Sequence, residues 1–187
     1  MAFKNAVALV AGGASGLGLA TAQRVISRGG YAVIMDLERS NGREEAAKHE
    51  NLKFVAGDIT SCSDVADAVE FTKASFNNRI DLGVQCAGIG TAFMTVNKKQ
   101  TPEQRAALFK KTIDVNLVGA FNFVTHVAEA MSTQDTRPVN EEDETIDSDS
   151  RGVICMTASI AAMDGQRGQS GYSEFEKNLK SKNCRKI

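Results

Sequence analysis

The stretch from Ala6 to Ala20, AVALVAGGASGLGLA, constrains the fold of this chain more than any other. It begins with five apolar residues, the pattern of a short buried strand, and continues into a run with helical spacing. Between the two lie Gly12, Ser15, Gly16 and Gly18. A strand, a glycine-rich turn and a helix in that order predict a cradle for the phosphates of a dinucleotide, because the first N–H groups of such a helix face an anion.

Each glycine of this turn has a separate predicted role. Gly12 can turn the chain sharply after the strand, and Gly16 lets the backbone approach a pyrophosphate. Gly18 lets the helix pack close to the strand. Together with Ser15 and Leu17 at the start of the helix, these glycines form the first half of the predicted cofactor site.

A second apolar strand, Tyr31 to Met35, ends at an acidic residue. Asp36 comes twenty residues after Gly16, where a carboxylate can accept hydrogen bonds from the hydroxyls of an adenosine ribose. The same carboxylate would repel a phosphate on that ribose, so the sequence favours NAD over NADP. The alternative interpretation is a structural turn in which Asp36 caps a helix.

The chain has 187 residues, enough for one domain with a sizeable core, and a net charge of −1. This charge predicts no nucleic-acid partner, and no apolar run is long enough to predict insertion in a membrane. The four cysteines lack paired metal-ligand spacing, so we expect reduced thiols in an intracellular protein and no metal site. The opening residues 1–5 lead directly into the first strand, which predicts neither a signal peptide nor a full transit peptide.

Apolar runs and helical periods alternate along the chain. Strands are predicted near residues 6–10, 31–35, 52–56, 81–86 and 152–156. Helices are predicted near residues 17–28, 43–49, 64–76, 103–111 and 114–131. This alternation implies parallel strands joined by right-handed crossovers, hence a doubly wound α/β sheet. Residues 132–150 are acidic and polar without an apolar period, which is typical of a surface loop.

The predicted helix 114–131 is apolar around more than one of its faces. A helix on one side of a sheet needs only a single apolar stripe. The surplus apolar residues can pack in a deep core or against a second subunit, and the sequence leaves both alternatives open.

Two hydroxyl side chains follow the fifth predicted strand. Ser159 lies at its carboxyl end, where parallel sheets place their ligands, and Tyr172 lies thirteen residues further on. Beside a nicotinamide, a tyrosine hydroxyl can pass a proton to or from a substrate oxygen while a serine hydroxyl holds that oxygen. A phenol has an ordinary pKa of about 10, so Tyr172 needs a nearby positive charge to act as a base.

Over residues 6–173 the whole pattern resembles the short-chain dehydrogenase/reductase family. The residues that carry the resemblance are the glycine turn, Asp58-Ile59, Cys86-Ala87-Gly88, Asp114-Val115-Asn116, Ser159 and Tyr172. The resemblance implies a Rossmann-type parallel sheet with strand order 3-2-1-4-5. It also implies an NAD-dependent oxidoreductase that interconverts a secondary alcohol and a ketone.

The resemblance also implies roles for individual residues. Asp58 and Ile59 would contact the adenine. The cofactor would also contact Cys86, Ala87 and Gly88, with Cys86 standing where the family has an asparagine. The implied catalytic residues are Asn116, Ser159 and Tyr172.

Within the family, three stretches are similar to the branch that acts on 3-hydroxyacyl-CoA: GGASGLGLATA, DVNLVGAFN and TASIAAMDGQRGQSGYS. That similarity implies NAD as the cofactor and an acyl-CoA or a steroid alcohol as the small-molecule substrate. Ser159 and Gln166 would position the substrate. It further implies a homotetramer and a mitochondrial location, with the cytoplasm as the alternative.

Position 176 departs from the family. A lysine four residues after the catalytic tyrosine is usual, but this chain has Glu176 there and Lys177 one residue later. Four residues along a helix turn by about 400°, so positions 172 and 176 share a face, whereas Lys177 lies about 140° around the helix from Tyr172. A carboxylate beside Tyr172 would raise the pKa of the phenol, so we expect impaired catalysis and weaker cofactor binding.

The segment 174–187, EFEKNLKSKNCRKI, is basic and no longer resembles the family. We therefore expect a cofactor-binding domain over 1–173 and a divergent tail over 174–187, in a truncated chain that lacks the family's last strands. The strand 152–156 would then be an exposed sheet edge, which predicts weak stability and aggregation. Two functions stay open: a dehydrogenase, and a non-catalytic dinucleotide-binding or interaction subunit.

Overall fold

The computed structural model describes residues 3–96, 98–138, 149–163 and 185–186. The helices are α1 Gly16–Ser27, α2 Gly42–Ala46, α3 Cys62–Ser75, α4 Pro102–Ile113 and α5 Ala120–Ser132. The strands are β1 Val7–Ala11, β2 Tyr31–Asp36, β3 Leu52–Ala56, β4 Leu82–Gln85, β5 Arg137–Pro138, β6 Asp149–Ser150, β7 Val153–Met156 and β8 Arg185–Lys186. All five long predicted strands are present, with bounds within two residues of those expected from the apolar runs.

The main sheet has the predicted topology. Five parallel strands lie in the order β3-β2-β1-β4-β7, which is 3-2-1-4-5 when only the parallel strands are numbered. Central β1 pairs with β2 on one side and β4 on the other, so that Val10 lies between Ile34 and Val84. The carboxyl ends of β1, β2, β3 and β4 therefore meet at one edge of the sheet, where ligands bind in such folds.

The fifth parallel strand is not a free edge along its whole length. The two residues of β8 pair with it antiparallel, Lys186 with Val153 and Arg185 with Ile154. The expectation of a fully exposed edge at 152–156 is therefore wrong at these two residues. The backbone groups that an unpaired edge would leave open are partly satisfied within the same chain.

The sheet is buried on both faces, which explains why its strands read as continuous apolar runs. On one face Val7 and Leu9 pack with residues of α3 and α5, including Phe123. On the other face Ala8 and Val10 pack with residues of α1 and β2. Alternate residues of β1 thus supply two separate cores.

The helical region from Pro102 to Ser132 is continuous, whereas the sequence predicted a break between residues 111 and 114. A π-helical turn over Asp114–Gly119 joins α4 to α5. The surplus apolar residues of this region are partly in the core and partly on the surface, where a second subunit could cover them. Phe123 is fully buried in the core, whereas Val118 and Phe121 are 51% and 60% exposed.

The acidic stretch 132–150 is not a loop throughout. Ser132 ends α5, and β5 pairs antiparallel with β6 through Arg137–Ser150 and Pro138–Asp149. Residues 139–148 lie outside the described part of the chain. Among the described residues, no helix is both long and apolar enough to cross a bilayer.

Candidate nucleotide-binding site

A pocket of about 410 Å³ lies at the carboxyl ends of the four neighbouring strands β1 to β4. Eight residues of the predicted cofactor site line it: Gly12, Ser15, Asp36, Asp58, Ile59, Cys86, Ala87 and Gly88. They come from four separate loops, and the sheet topology brings them together. The residues predicted to contact the adenine, Asp58 and Ile59, thus line the same cavity as Gly12 and Ser15 of the predicted phosphate cradle.

The three glycines of the turn are needed for different geometric reasons. Gly12 has a φ of +71°, and a Cβ there would lie 2.6 Å from the backbone nitrogen of Ala87. A Cβ on Gly18 would collide with the carbonyl oxygen of Gly12, so the start of α1 can pack against the turn only without a side chain. Gly16 has a φ of +51° and no atom within 4 Å of its Cβ position. Its backbone therefore faces open space that a phosphate group could occupy.

Gly16, Leu17 and Gly18 do not line the pocket described above. The side chain of Leu17 is 72% exposed, and Gly18 is buried beneath the turn. Ser15 precedes α1 with an extended backbone, and its side chain makes no capping hydrogen bond. The first N–H groups of α1 thus have no side-chain cap from Ser15, which is the arrangement that anion-binding helix termini use.

Asp36 connects the end of β2 to the glycine turn. Its Oδ2 accepts a hydrogen bond from the backbone N–H of Ala14 at 3.0 Å, and its Oδ1 accepts one from Leu37 at 2.8 Å. Each carboxylate oxygen can accept a further hydrogen bond, because it has two lone pairs. Asp36 can therefore hold the turn in place and still bind a hydroxyl in the pocket that it lines.

The loop after β3 is held by its own acidic residues. Asp58 Oδ1 accepts hydrogen bonds from the N–H and the hydroxyl of Thr60, at 2.9 and 2.8 Å. The N–H of Asp58 donates to Asp64 Oδ2 at 2.9 Å. That bond, followed by the Ser61 hydroxyl, holds the pKa of Asp64 below its ordinary value. A negatively charged Asp64 thus stabilises the loop that carries Asp58 and Ile59.

The loop after β4 stays joined to β1 although Cys86 replaces the family's asparagine. The N–H of Cys86 donates to the carbonyl of Ala11 at 2.9 Å, and Nε2 of buried Gln85 donates to the carbonyl of Ala87 at 2.6 Å. Burial raises the pKa of the Cys86 thiol. Cys86 therefore gives this wall of the pocket a neutral surface.

Asn116 lies in the π-helical turn, with its side chain buried. Its Oδ1 accepts a hydrogen bond from the N–H of Ile89 at 2.8 Å, and its Nδ2 donates to the carbonyl of Ile89 at 2.9 Å. This geometry makes Asn116 a residue that positions the loop after β4. Its predicted catalytic role stays a prediction, and in this arrangement it would act through Ile89.

The predicted catalytic centre is only partly described. Ser159 follows β7 and precedes a short 3₁₀ helix, Ile160–Ala162, and its Oγ accepts a hydrogen bond from the N–H of Ala161 at 3.2 Å. Tyr172 and Gln166 lie outside the described residues, as do positions 176 and 177. Their predicted roles therefore stay predictions. Among the described residues, no group of three or more His, Cys, Asp or Glu side chains could hold a metal ion.

The sequence did not predict two cationic residues that line the pocket. Arg39 and Lys111 line the same cavity as Asp36 and Asp58, and both are exposed. Arg39 follows β2, whereas Lys111 comes from α4, more than 70 residues later in the chain. No local motif marks either of them. Their positive charges suit a ligand that carries a diphosphate.

The chain is similar to known proteins over most of its length. Residues 6–174 match the family model described as short chain dehydrogenase. The human and Drosophila melanogaster proteins named 3-hydroxyacyl-CoA dehydrogenase type-2 are 43% and 42% identical over 171 residues, or 91% of this chain. A sorbitol-6-phosphate 2-dehydrogenase of Klebsiella pneumoniae is 28% identical over 95% of this chain.

A solved structure has the same fold. The crystal structure of 3-hydroxyacyl-CoA dehydrogenase type-2 from Mycobacterium avium superposes with a TM-score of 0.78 at 32% identity, covering 94% of this chain and 65% of that one. The chain also spans only 62% of the human relative, 63% of the Drosophila relative and 61% of the Klebsiella relative. Together with the family match over residues 6–174, the shared fold leads to one conclusion. The chain belongs to the short-chain dehydrogenase family.

Proposed function

We propose that this chain binds NAD or NADH in the pocket at the ends of β1 to β4. One observation carries the proposal: the Asp36 carboxylate lines the pocket while its hydrogen bonds to Ala14 and Leu37 aim it across the glycine turn. The residues present fit the cofactor, because Gly16 leaves open space above the turn. A ribose with two hydroxyls suits Asp36, whereas a ribose phosphate would face its negative charge.

We further propose that the reaction of this protein is the interconversion of a secondary alcohol and a ketone. The nicotinamide of the bound cofactor would supply or accept the hydride. The Ser159 hydroxyl would hold the substrate oxygen, and the Tyr172 hydroxyl would transfer a proton to or from that oxygen. The names of the human and Drosophila relatives support a 3-hydroxyacyl-CoA as the substrate, with a hydroxysteroid as a further class to test. Gln166 would help to position either one.

Catalysis by this chain would be weak. Glu176 occupies the position that would face Tyr172 one helical turn later, where the family has a lysine. A carboxylate there raises the pKa of the phenol, and it offers no ammonium group to the nicotinamide ribose. We therefore expect negligible reduction of acetoacetyl-CoA by NADH, while NADH itself still binds weakly.

A titration with NADH and with NADPH tests the cofactor proposal. The chain should bind NADH more tightly, and Asp36→Asn should reduce that preference because it removes the charge but keeps an oxygen for Ala14. Asp67→Asn is the matched control, since Asp67 is an exposed residue of α3 that does not line the pocket. Absence of NADH binding, or a preference for NADPH, would refute the proposal.

Substitutions at position 176 test the account of weak catalysis. Glu176→Lys should raise turnover of acetoacetyl-CoA, since it restores the positive charge that lowers the pKa of Tyr172. Glu176→Gln is the matched control, because it removes the carboxylate without adding an ammonium group. Robust turnover by the unaltered chain would contradict the account.

A non-catalytic role as a dinucleotide-binding or interaction subunit is the second candidate. The exposed apolar side chains of Val118 and Phe121, one helical turn apart, favour it. We propose that this face contributes to a homo-oligomer, and that the tetramer suggested by the family resemblance is the state to test. We also propose a mitochondrial location with the cytoplasm as the alternative, which imaging of a fluorescent fusion would distinguish.

A further inference from the structure

We propose that Asn122 is a positioning residue that fixes the adenine-side wall of the pocket through the backbone of Ile59. Asn122 lies in the first turn of α5 and is 7% exposed. Its Nδ2 donates a hydrogen bond to the carbonyl oxygen of Ile59 at 2.9 Å, across 63 positions of sequence. Ile59 lines the pocket and follows β3 in the loop that also carries Asp58.

A second residue of the same helical face approaches Ile59. Gly119 lies three positions before Asn122, and a Cβ there would lie 2.7 Å from Ile59 Cγ2 and 3.3 Å from its carbonyl oxygen. The helix backbone can therefore come close to the loop only because position 119 has no side chain. Gly119 allows the approach, and Asn122 converts it into a directed hydrogen bond.

The other half of the Asn122 amide argues against a purely stabilising role. Among the described residues, its buried Oδ1 has no hydrogen-bond partner. An unsatisfied buried polar atom is destabilising, whereas an apolar side chain would bring no polar atom into this site. We assign a function to the hydrogen bond between this amide and Ile59: it holds a residue that lines the pocket.

The same helical region holds the loop on the other side of the pocket. Asn116 bonds both backbone groups of Ile89 after β4, and Asn122 bonds Ile59 after β3. The π-helical turn inserts one extra residue, which rotates the following residues by about 100° relative to a regular α-helix. One rigid segment can thus face both loops and hold the pocket in shape before a ligand binds.

This inference rests on the proposed dinucleotide site and is tested on the full chain with AMP and NADH. Asn122→Leu leaves the carbonyl of Ile59 without its donor, so the loop shifts to reach water. We expect about tenfold weaker binding of both ligands, the scale of one lost hydrogen bond. Backbone amides of Ile59 to Ser61 should exchange hydrogen faster, with little change in the thermal midpoint.

The matched control is Gln134→Leu. Gln134 also bonds a backbone through its amide, with Nε2 2.7 Å from the Ile80 carbonyl oxygen, and it does not line the pocket. This control should lose stability and keep its ligand affinity. Equal affinity and equal loop protection in Asn122→Leu and the wild type would overturn the inference.

An isosteric variant covers the case in which Asn122→Leu does not fold. In Asn122→Asp, an ionised carboxylate cannot donate to Ile59, whereas the protonated carboxyl can. AMP affinity relative to the wild type should therefore recover as the pH falls, and a constant ratio would refute the inference. The wild type is measured at each pH because the titratable ring of His126 lies close by, with its Nδ1 2.8 Å from the backbone carbonyl oxygen of Asn122. If the wild type binds neither ligand, the proposed function fails, while hydrogen exchange at the loop still tests the role of Asn122.

Discussion

Alanine substitutions at Gly12 and Gly16 test the proposed nucleotide cradle. Gly12→Ala should mainly lower the stability of the fold, whereas Gly16→Ala should mainly lower the affinity for NADH. At Gly12 an added Cβ would lie 2.6 Å from Ala87 N, 2.7 Å from Ala87 Cα and 2.8 Å from the carbonyl carbon of Cys86. All three are backbone atoms, so neither side can yield by a rotamer change. At Gly16 the same Cβ meets no atom within 4 Å.

The expected loss of stability follows from these contacts. Both positions have positive φ, and alanine in that region costs about 1–2 kcal/mol. Gly12→Ala adds an overpacking cost of about 1–3 kcal/mol as β1 and the loop after β4 are forced apart. The free energy of unfolding should thus fall by about 2–5 kcal/mol for Gly12→Ala and about 1–2 kcal/mol for Gly16→Ala. At about 2–4 °C per kcal/mol, Gly12→Ala should show the clearly larger drop in thermal midpoint.

NADH binding should be affected most directly by the other variant, Gly16→Ala. The Cβ of Gly16→Ala occupies the space proposed for the diphosphate, so NADH affinity should fall far more than the small loss of stability explains. Thermal unfolding and an NADH titration on both variants measure the two effects. Equal loss of stability in the two variants, or unchanged NADH affinity in Gly16→Ala, would refute the reasoning.

Three further predictions concern stability and assembly. Asp81→Asn should lower the free energy of unfolding in urea by about 3–5 kcal/mol, because it leaves Arg79, only 7% exposed, without the carboxylate 2.7 Å away; a loss under 1 kcal/mol would show that the pair is not coupled. The lowered pKa of Asp64 means that its contribution is present above its ordinary pKa of 3.8 and is lost as pH falls through the lower folded value. Urea unfolding from pH 6 to 2 should therefore show a weaker acid dependence in Asp64→Asn, and an unchanged profile would contradict the assignment. Val118→Lys should reduce the mass measured by light scattering if its exposed face lies in a homo-oligomer, whereas Val96→Lys, at an exposed position outside α4 and α5, should not.

Local patterns were sufficient for the sheet and half of the site. The apolar run before Gly12 and the one before Asp36 each predicted a strand, and alternation with helical periods predicted a parallel, doubly wound sheet. The strand order came from the family resemblance, and the structure confirms it. The glycine turn was predictable because its chemistry depends on residues a few positions apart. The π-helical turn over Asp114–Gly119 was not predicted, because it differs from the flanking α-helices in its backbone hydrogen bonds and not in a residue pattern.

The sequence by itself determined the class of fold, the glycine turn after β1 and the position of Asp36, because period, glycine spacing and strand ends are local properties of the chain. Only the tertiary structure decided that Lys111 enters the pocket wall, that Asn122 bonds to Ile59 and that β8 pairs with β7. Each of these joins residues more than 30 positions apart in the sequence. A buried amide or a single lysine carries no pattern that identifies its partner, so its role is set by the packing of distant elements.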